Sequence, residues 1–278
     1  LPRAKQYIRH MLRGLAWMHV RQYSHSDLKP ENMLLDRATD TVKLCDVGHA
    51  RKFTTQSPTF SQPPQTTHNY RSIEVLLHQG PYSIKTDMWA AGCTAYEILT
   101  QEVLFDPDVD MYETSSSSSC EEAEDGEAEE EEECEEGEGE GEGEGGGGEE
   151  EEKEQEEGEE GAEEGGEEPV WKSESSEEDS DDELESEIVH IEQVMSVFGN
   201  LPKNMRQMCR RHFNAKGFLR DRGNCPVERY SIAERLVSEH AIDRSQAQPF
   251  EDFVLQMCFY NMKKRKSCSA MLEHAWLA

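Results

Sequence analysis

In LPRAKQYIRHMLRGLAWMHV the apolar residues Ile8, Met11, Leu12, Leu15 and Met18 recur every three or four positions. That period places them on one face of a helix. Pro2 suits the first turn, where no backbone N–H is needed. The polar stretch HSDLKPEN, His25–Asn32, breaks the period and predicts a loop. MLLD then reads as a short strand, RATD as a turn and TVKLCD as a second strand, together a small hairpin. The prolines of SPTFSQPPQTT forbid a continuous helix there. KTDMWAAGCTAYEILTQ is apolar on almost every side, which predicts a buried helix. EIVHIEQVMSVFG is amphipathic, with Gly199 as its stop. NMRQMCRRHFNAKGFLRDRGNCPVERYS is basic and shows no clear period. FEDFVLQMCFYN and SAMLEHAWL predict closing helices.

Charge changes this picture in one segment. The 278 residues carry a formal net charge of −32. Residues 113–187 alone hold 39 acidic residues and two lysines, whereas the remainder holds 21 acidic and 26 basic residues. The flanks are therefore mildly basic, and one segment makes the chain acidic. That segment has almost no aromatic or branched apolar side chains, so it cannot bury enough surface to offset chain entropy. It is expected to be disordered. The folded parts are expected at 1–112 and 188–278. None of the eight cysteines forms a C-x-x-C pair, and two lie in the acidic segment, which argues against a zinc site and a disulfide framework. Reduced thiols of a cytosolic or nuclear protein are the expectation. No apolar run approaches the ~18 residues of a membrane span. Leu1 is not a methionine, which fits a piece of a longer chain.

The candidate chemistry lies in the loop. His25-Ser26-Asp27-Leu28-Lys29-Pro30-Glu31-Asn32 resembles the protein-kinase catalytic loop H-R-D-L-x-x-x-N. Asp46-Val47-Gly48 stands where that family has D-F-G. Thr67-His68-Asn69-Tyr70-Arg71-Ser72-Ile73-Glu74 resembles the stretch ending in A-P-E. Asp87-x-Trp89-x-x-Gly92 resembles the buried central helix, and Arg265, before His274-Ala275-Trp276, resembles the arginine near the domain's end. Five motifs in the right order specify far more than any one of them. A lone Asp beside a Lys is usually a surface pair of little worth. The fold implied is α+β and protein-kinase-like: a mostly helical C-terminal lobe with a small β-hairpin, interrupted by the acidic insert.

The resemblance also implies roles. Asp27 would orient the substrate hydroxyl and accept its proton, and Lys29 would steady the transferred phosphoryl charge. Asn32 and Asp46 would hold magnesium on ATP, with Lys29, Asn32 and Asp46 binding the nucleotide; hard oxygen ligands suit that ion. Thr67 and Arg71 would position the substrate. His25, Asp87, Glu74 and Arg265 would be structural supports. YRSIEVL, DVGHA and Ser26 in place of the usual arginine are most similar to the SR-protein-specific serine/threonine kinases of the CMGC group. That likeness implies Arg/Ser-rich protein substrates such as splicing factors, no direct nucleic-acid or membrane partner, and a place in cytoplasm and nucleus. Serine at position 26 cannot pair with an activation-loop phosphate, so activity is expected to need none.

The likeness begins at the helix before the catalytic loop, so the chain is expected to carry the C-terminal lobe only. A match to the glycine-rich phosphate cover exists at Gly141-x-Gly143-x-x-Gly146, but it follows no strand and its glutamates would repel phosphate. The alternative is a truncated kinase or pseudokinase acting as a binding module for basic proteins, with the acidic segment as the attractant. Ser175, Ser176 and Ser180 each precede an acid by three residues, a casein-kinase-II-type pattern. KKRK, 263–266, reads as a nuclear signal or, through Arg265, as part of the fold.

Overall fold

Helix α1 (Pro2–Val20) buries the face its period marks: Ile8, Met11, Leu12, Leu15 and Met18. Each such side chain stabilises by roughly 1.5–3 kcal/mol. The structure is a computed structural model, and it describes residues 1–54, 57–109, 177–220, 222 and 225–278. Strand β1 (Tyr23–Ser24) leads into the polar loop, which closes in a 3₁₀ turn at Pro30–Asn32. Strands β2 (Met33–Asp36) and β3 (Thr41–Leu44) form the expected hairpin, in the register Met33↔Leu44 to Asp36↔Thr41. The second strand stops at Leu44, two residues short of its expected end. Strand β4 (Arg51–Lys52) returns to pair with β1.

Strand β5 (Thr59–Phe60), the short helix α2 (Ile73–Leu76) and strand β6 (Tyr82–Ser83) follow, with β5 and β6 paired antiparallel. Helix α3 (Lys85–Thr100) is the central post of the fold. Thr86 through Tyr96 are buried without interruption, because α1 covers one side and a later helix another. Trp89 stacks with Phe105 and tilts against Phe198 within it.

Helix α4 (Glu177–Phe198) corrects the expected boundary of the disordered segment. Disorder was expected through Glu187, yet the helix runs back to Glu177 and Glu187 is buried. Ile188, Val189, Ile191, Val194 and Val197 bury an apolar face, and a helix packed on that face extends into the acidic run beside it. Glu187 is held by Nε2 of His78 and Nε2 of His212, each at 2.9 Å. Composition over a window does not reveal one carboxylate with two histidine partners. Of residues 113–187, those at 113–176 lie outside the described residues, as do Gly141, Gly143, Gly146, Ser175, Ser176 and the side chain of Ser180.

Burial alone would raise the Glu187 pKa, but the hydrogen bonds from His212 and His78 outweigh it and leave the pKa lowered. A lowered folded pKa adds stability that is present above the unfolded value, about 4.3, and is lost as pH falls through the folded value. The melting-temperature gap between the protein and its Glu187→Gln variant is therefore expected to shrink as pH falls from about 6 to about 3. A gap that stays constant would contradict the assignment.

Gly199 ends α4 with φ +88°, a conformation that favours glycine. The basic run holds helix α5 (Lys203–Met208) and a tight turn closed by a bridge between Phe213 and Leu219. Helix α6 (Ile232–Ser238), capped by the Ser231 hydroxyl, was not anticipated from the sequence pattern. Helix α7 (Arg244–Met257) starts six residues before the expected FEDFVLQ run and carries Pro249 in its first half. Helix α8 (Cys268–Leu272) is shorter than expected; HAWL continues as a turn that buries Trp276.

Helices α3 and α7 cross at Gly92. A Cβ there would lie 2.4 Å from Cys258 Sγ. Gly92→Ala is expected to cost about 1–3 kcal/mol by overpacking. Adding Cys258→Ala should return part of that loss in thermal melting. A neutral single variant would show that the helices sit further apart.

Candidate active site

The loop is built on Asp87, which projects from the first turn of α3 and is 1% exposed. Its Oδ2 accepts the backbone N–H of His25 at 2.8 Å, and its Oδ1 accepts that of Ser26 at 2.9 Å. His19 Nε2 from the end of α1 lies 2.8 Å from Oδ2. One carboxylate thus ties two helices to the start of the loop.

His25 is fully buried. Its Nε2 lies 3.0 Å from the Cys45 carbonyl, and its Nδ1 accepts the Asp27 backbone N–H at 3.4 Å. These partners fix the orientation of the ring. The Cys45 N–H also donates to the Asn32 carbonyl at 2.9 Å. Cys45 is thus pinned to both ends of the loop, and Asp46 follows it directly. Asp46 has φ +53°, is exposed, and accepts the Gly48 N–H on Oδ1 at 3.4 Å.

Around Asp27 the contacts converge. Its Oδ1 accepts the Thr67 N–H at 3.0 Å and the Thr67 hydroxyl at 2.8 Å. Its Oδ2 faces Lys29 Nζ at 3.2 Å and Asn32 Nδ2 at 3.1 Å. Lys29 Nζ also donates to Thr67 Oγ1 at 2.5 Å. Burial would raise the Asp27 pKa, but the Thr67 hydroxyl and amide and the Lys29 ammonium overcome it and leave the pKa lowered. The group is a carboxylate at neutral pH, aimed by three neighbours. Both hydrogens of Asn32 Nδ2 go to Asp27, one to its carbonyl at 2.7 Å, so the amide oxygen is left to face elsewhere.

The substrate-positioning candidates sit on the segment that crosses this loop. The Thr66 hydroxyl donates to the Ser26 carbonyl at 3.1 Å, and Arg71 Nε donates to the Thr66 carbonyl at 3.2 Å. Ser26, with φ +70°, is buried, and its hydroxyl meets that of Ser24 at 2.7 Å. Arg265 clamps the far end of the segment. Its two terminal nitrogens meet the two oxygens of Glu74 at 2.8 and 2.6 Å, and its Nε donates to the Phe259 carbonyl at 2.7 Å. Because Arg265 is buried in that pair, KKRK presents only its lysines to solvent.

Two carboxylates were missed from the sequence. Tyr70 Oη donates to Glu97 Oε2 at 2.5 Å. Burial raises the Glu97 pKa; the Tyr70 bond lowers it, and the charge of Glu31 raises it again. Glu31 in the loop and Glu97 on α3 therefore share one electrostatic neighbourhood, and Tyr70 ties Glu97 to the segment that crosses the loop. The available signal was a lone carboxylate inside the apolar run WAAGCTAYEIL.

Elsewhere among the described residues, Glu102, Glu239 and His240 place ligand atoms within 4.8 Å of one another. Arg235 already compensates that charge, at 3.5 Å from Glu102 and 2.8 Å from Glu239. No helix of the described residues is long and apolar enough to cross a membrane.

The loop, the Asp46 turn, the crossing segment and the Arg265 clamp occur together in one known fold family. The protein kinase domain family matches residues 2–277, and the chain belongs to it. Among curated proteins it is similar to cyclin-dependent kinase B2-2 of Arabidopsis thaliana, 38% identical over 103 residues. That alignment covers 37% of this chain and 32% of the relative, so the chain spans about a third of the relative's length.

Proposed function

We propose that this chain is the catalytic half of a serine/threonine protein kinase of the SR-protein kinase type. It would transfer the γ-phosphoryl group of ATP to serines in Arg/Ser-rich proteins, in the cytoplasm and nucleus. The observation that carries the reading is the Asp27 carboxylate, held ionised and oriented by Thr67, Lys29 and Asn32.

Phosphoryl transfer needs placement and charge neutralisation more than covalent chemistry by the protein. Asp27 accepts the proton of the substrate hydroxyl. Lys29, already against Asp27 and Thr67, places a positive charge beside the transferring group. Thr67 locks the carboxylate to the substrate-positioning segment, so the base and the incoming serine are set by one element. The donor set fits magnesium: the Asn32 amide oxygen is turned from its partner, and Asp46 offers an exposed carboxylate on a turn anchored through Cys45. Magnesium, when bound there with ATP, would neutralise charge developing on the phosphates.

Glu31 and Glu97 supply the preference for arginine. A guanidinium beside the target serine would meet two carboxylates at the edge of the site. The C-terminal-lobe reading draws on Leu34, 61% exposed and two residues after Asn32, and Val47, 59% exposed and next to Asp46. Large apolar side chains open to solvent beside candidate site residues favour a cover. That cover would be the half of the kinase that closes over ATP.

Ser26 turns inward to Ser24 and carries no charge for an activation-loop phosphate. Phosphatase treatment of the complete protein is expected to leave its activity within about twofold, since no charge pair at this position is lost. A drop of tenfold or more would show that ordering by phosphate operates through another residue.

The test of function uses the complete protein from its full open reading frame, ATP, and an Arg-Ser repeat peptide against an Ala-Ser repeat. Phosphate should enter the Arg-Ser peptide. Glu97→Gln should raise its KM by about tenfold, the value of one charge-assisted hydrogen bond. Equal use of both peptides would remove the arginine preference. Equal turnover by wild type and Asp46→Ala would remove the enzyme reading.

A further inference from the structure

The basic run that gave no period folds into a pocket whose charge the kinase reading leaves unused. Helix α5 and the turn after it enclose about 650 Å³, lined by Lys203, Arg206, Arg210, Lys216 and Arg220. Among the described residues, no carboxylate lies within ion-pair distance of any of the five, whereas Arg211 and Arg222, close by in sequence, each pair with a glutamate. The pocket is also constructed with some care for geometry. Asn214 Oδ1 accepts the N–H groups of Lys216 and Phe218 at 3.0 and 3.1 Å, and Phe213 and Leu219 close the turn as a bridge. Arg206 Nη1 donates to the Gly217 carbonyl at 3.0 Å, and Arg220 Nε donates to the Arg210 carbonyl at 2.9 Å, so two guanidinium groups are fixed in direction. Arg206 Nε is buried and has no hydrogen-bond partner.

We infer that this pocket binds a phosphoserine- or phosphothreonine-bearing segment of a partner protein. Five cations around one concavity, with no carboxylate paired to them among the described residues, suit a compact dianion better than a single carboxylate. A phosphate offers three strong acceptor oxygens and about two charges, and guanidinium forks meet such oxygens in pairs. Nucleic acid is the weaker fit. The cations ring a pocket and do not form a stripe, and the one aromatic ring in the lining, Phe213, is buried and gives no platform for bases. Such docking would hold a phosphorylated partner on the kinase through a surface built by α5, which contributes nothing to the Asp27 site. It stands whether or not the arginine preference proposed above is correct.

The test is binding of a short Gly/Ala peptide with one phosphoserine to the complete protein at physiological salt, by fluorescence anisotropy. The same peptide with serine, an Asp/Glu-rich peptide of equal net charge and a single-stranded RNA serve as competitors. The account predicts that the phosphopeptide binds at least tenfold more tightly than its serine form. The double variant Arg210→Gln with Lys216→Gln, whose side chains make no hydrogen bond among the described residues, should weaken it tenfold or more without a change in melting temperature. Arg206→Gln should weaken it as well, and Asp27→Asn should leave it unchanged. Equal affinity for the serine peptide, displacement by RNA or by the acidic peptide at equal concentration, or full binding by the double variant would each overturn the inference.

Discussion

Asp27→Asn, made in the complete protein, is expected to lower kcat for peptide phosphorylation by about 10²–10⁴-fold, the usual contribution of a positioned general base. The amide nearly preserves shape. It can still accept the Thr67 N–H, so the crossing segment should stay in place. What it loses is the capacity to take a proton and the charge that faces Lys29 at 3.2 Å. KM for ATP should move little, because Asn32 and Asp46 carry the expected nucleotide and metal contacts. A split of this kind, with kcat reduced and KM preserved, distinguishes a residue acting in the transition state from one that holds the ground state. The lowered pKa of Asp27 adds a second signature. The wild-type carboxylate is ionised throughout the neutral range, so no loss of rate on acidification should be traceable to it until pH falls below the ordinary aspartate value, about 3.9. A variant that retained a rate within tenfold of wild type would show that Asp27 is not the base.

The second large effect is on stability. Arg265→Ala is expected to destabilise by about 3–5 kcal/mol, because it leaves Glu74 as a buried charge without its partner. For a folded body of this size that is roughly a 10 °C fall in melting temperature. The Arg265 side chain is 0% exposed and that of Glu74 4%, and both guanidinium–carboxylate contacts are short. Arg265 also bonds the Phe259 and Lys85 carbonyls and lies over the Trp89 ring at 5.1 Å. The clamp therefore fastens α2 and the segment that crosses the loop to the central helix and to the chain after α7. Replacing both partners, as Glu74→Met with Arg265→Met, should cost less than Arg265→Ala alone, since no charge is then stranded. If the single variant shifts melting by less than about 2 °C, the pair is solvated and the clamp is not structural.

The helical period was legible where one face is buried against one neighbour. Helix α1 is the clear case, and α3 was legible for the opposite reason, since its unbroken apolar run can only be central. Legibility failed where tertiary contacts set the boundary. Helix α4 extends into residues whose composition points to disorder, because an apolar face downstream anchors it and Glu187 finds His78 and His212, far away in sequence. Helix α6 is short and begins at a cap in a stretch without a period; Ser231 was the only local sign. At the candidate site, the order of motifs pointed to Asp27, Lys29, Asn32 and Asp46. The motif order could not reveal that Thr67 donates twice to Asp27 from 40 residues away, or that Glu31 and Glu97 lie in one electrostatic neighbourhood. Such pairings depend on how the segments cross, and that is fixed only when the Asp87 hub and the Arg265 clamp have formed.

The claim beneath the rest is that the Asp27, Asn32 and Asp46 side chains converge on one metal–nucleotide site. A crystal structure of the complete protein with magnesium and a non-hydrolysable ATP analogue tests it most directly. The account predicts magnesium bound through the Asn32 amide oxygen and the Asp46 carboxylate, with the Asp27 carboxylate turned to the terminal phosphate and still held by Thr67. Magnesium and nucleotide found away from Asp46, or an Asp27 that has left Thr67 and points from the phosphates, would contradict it.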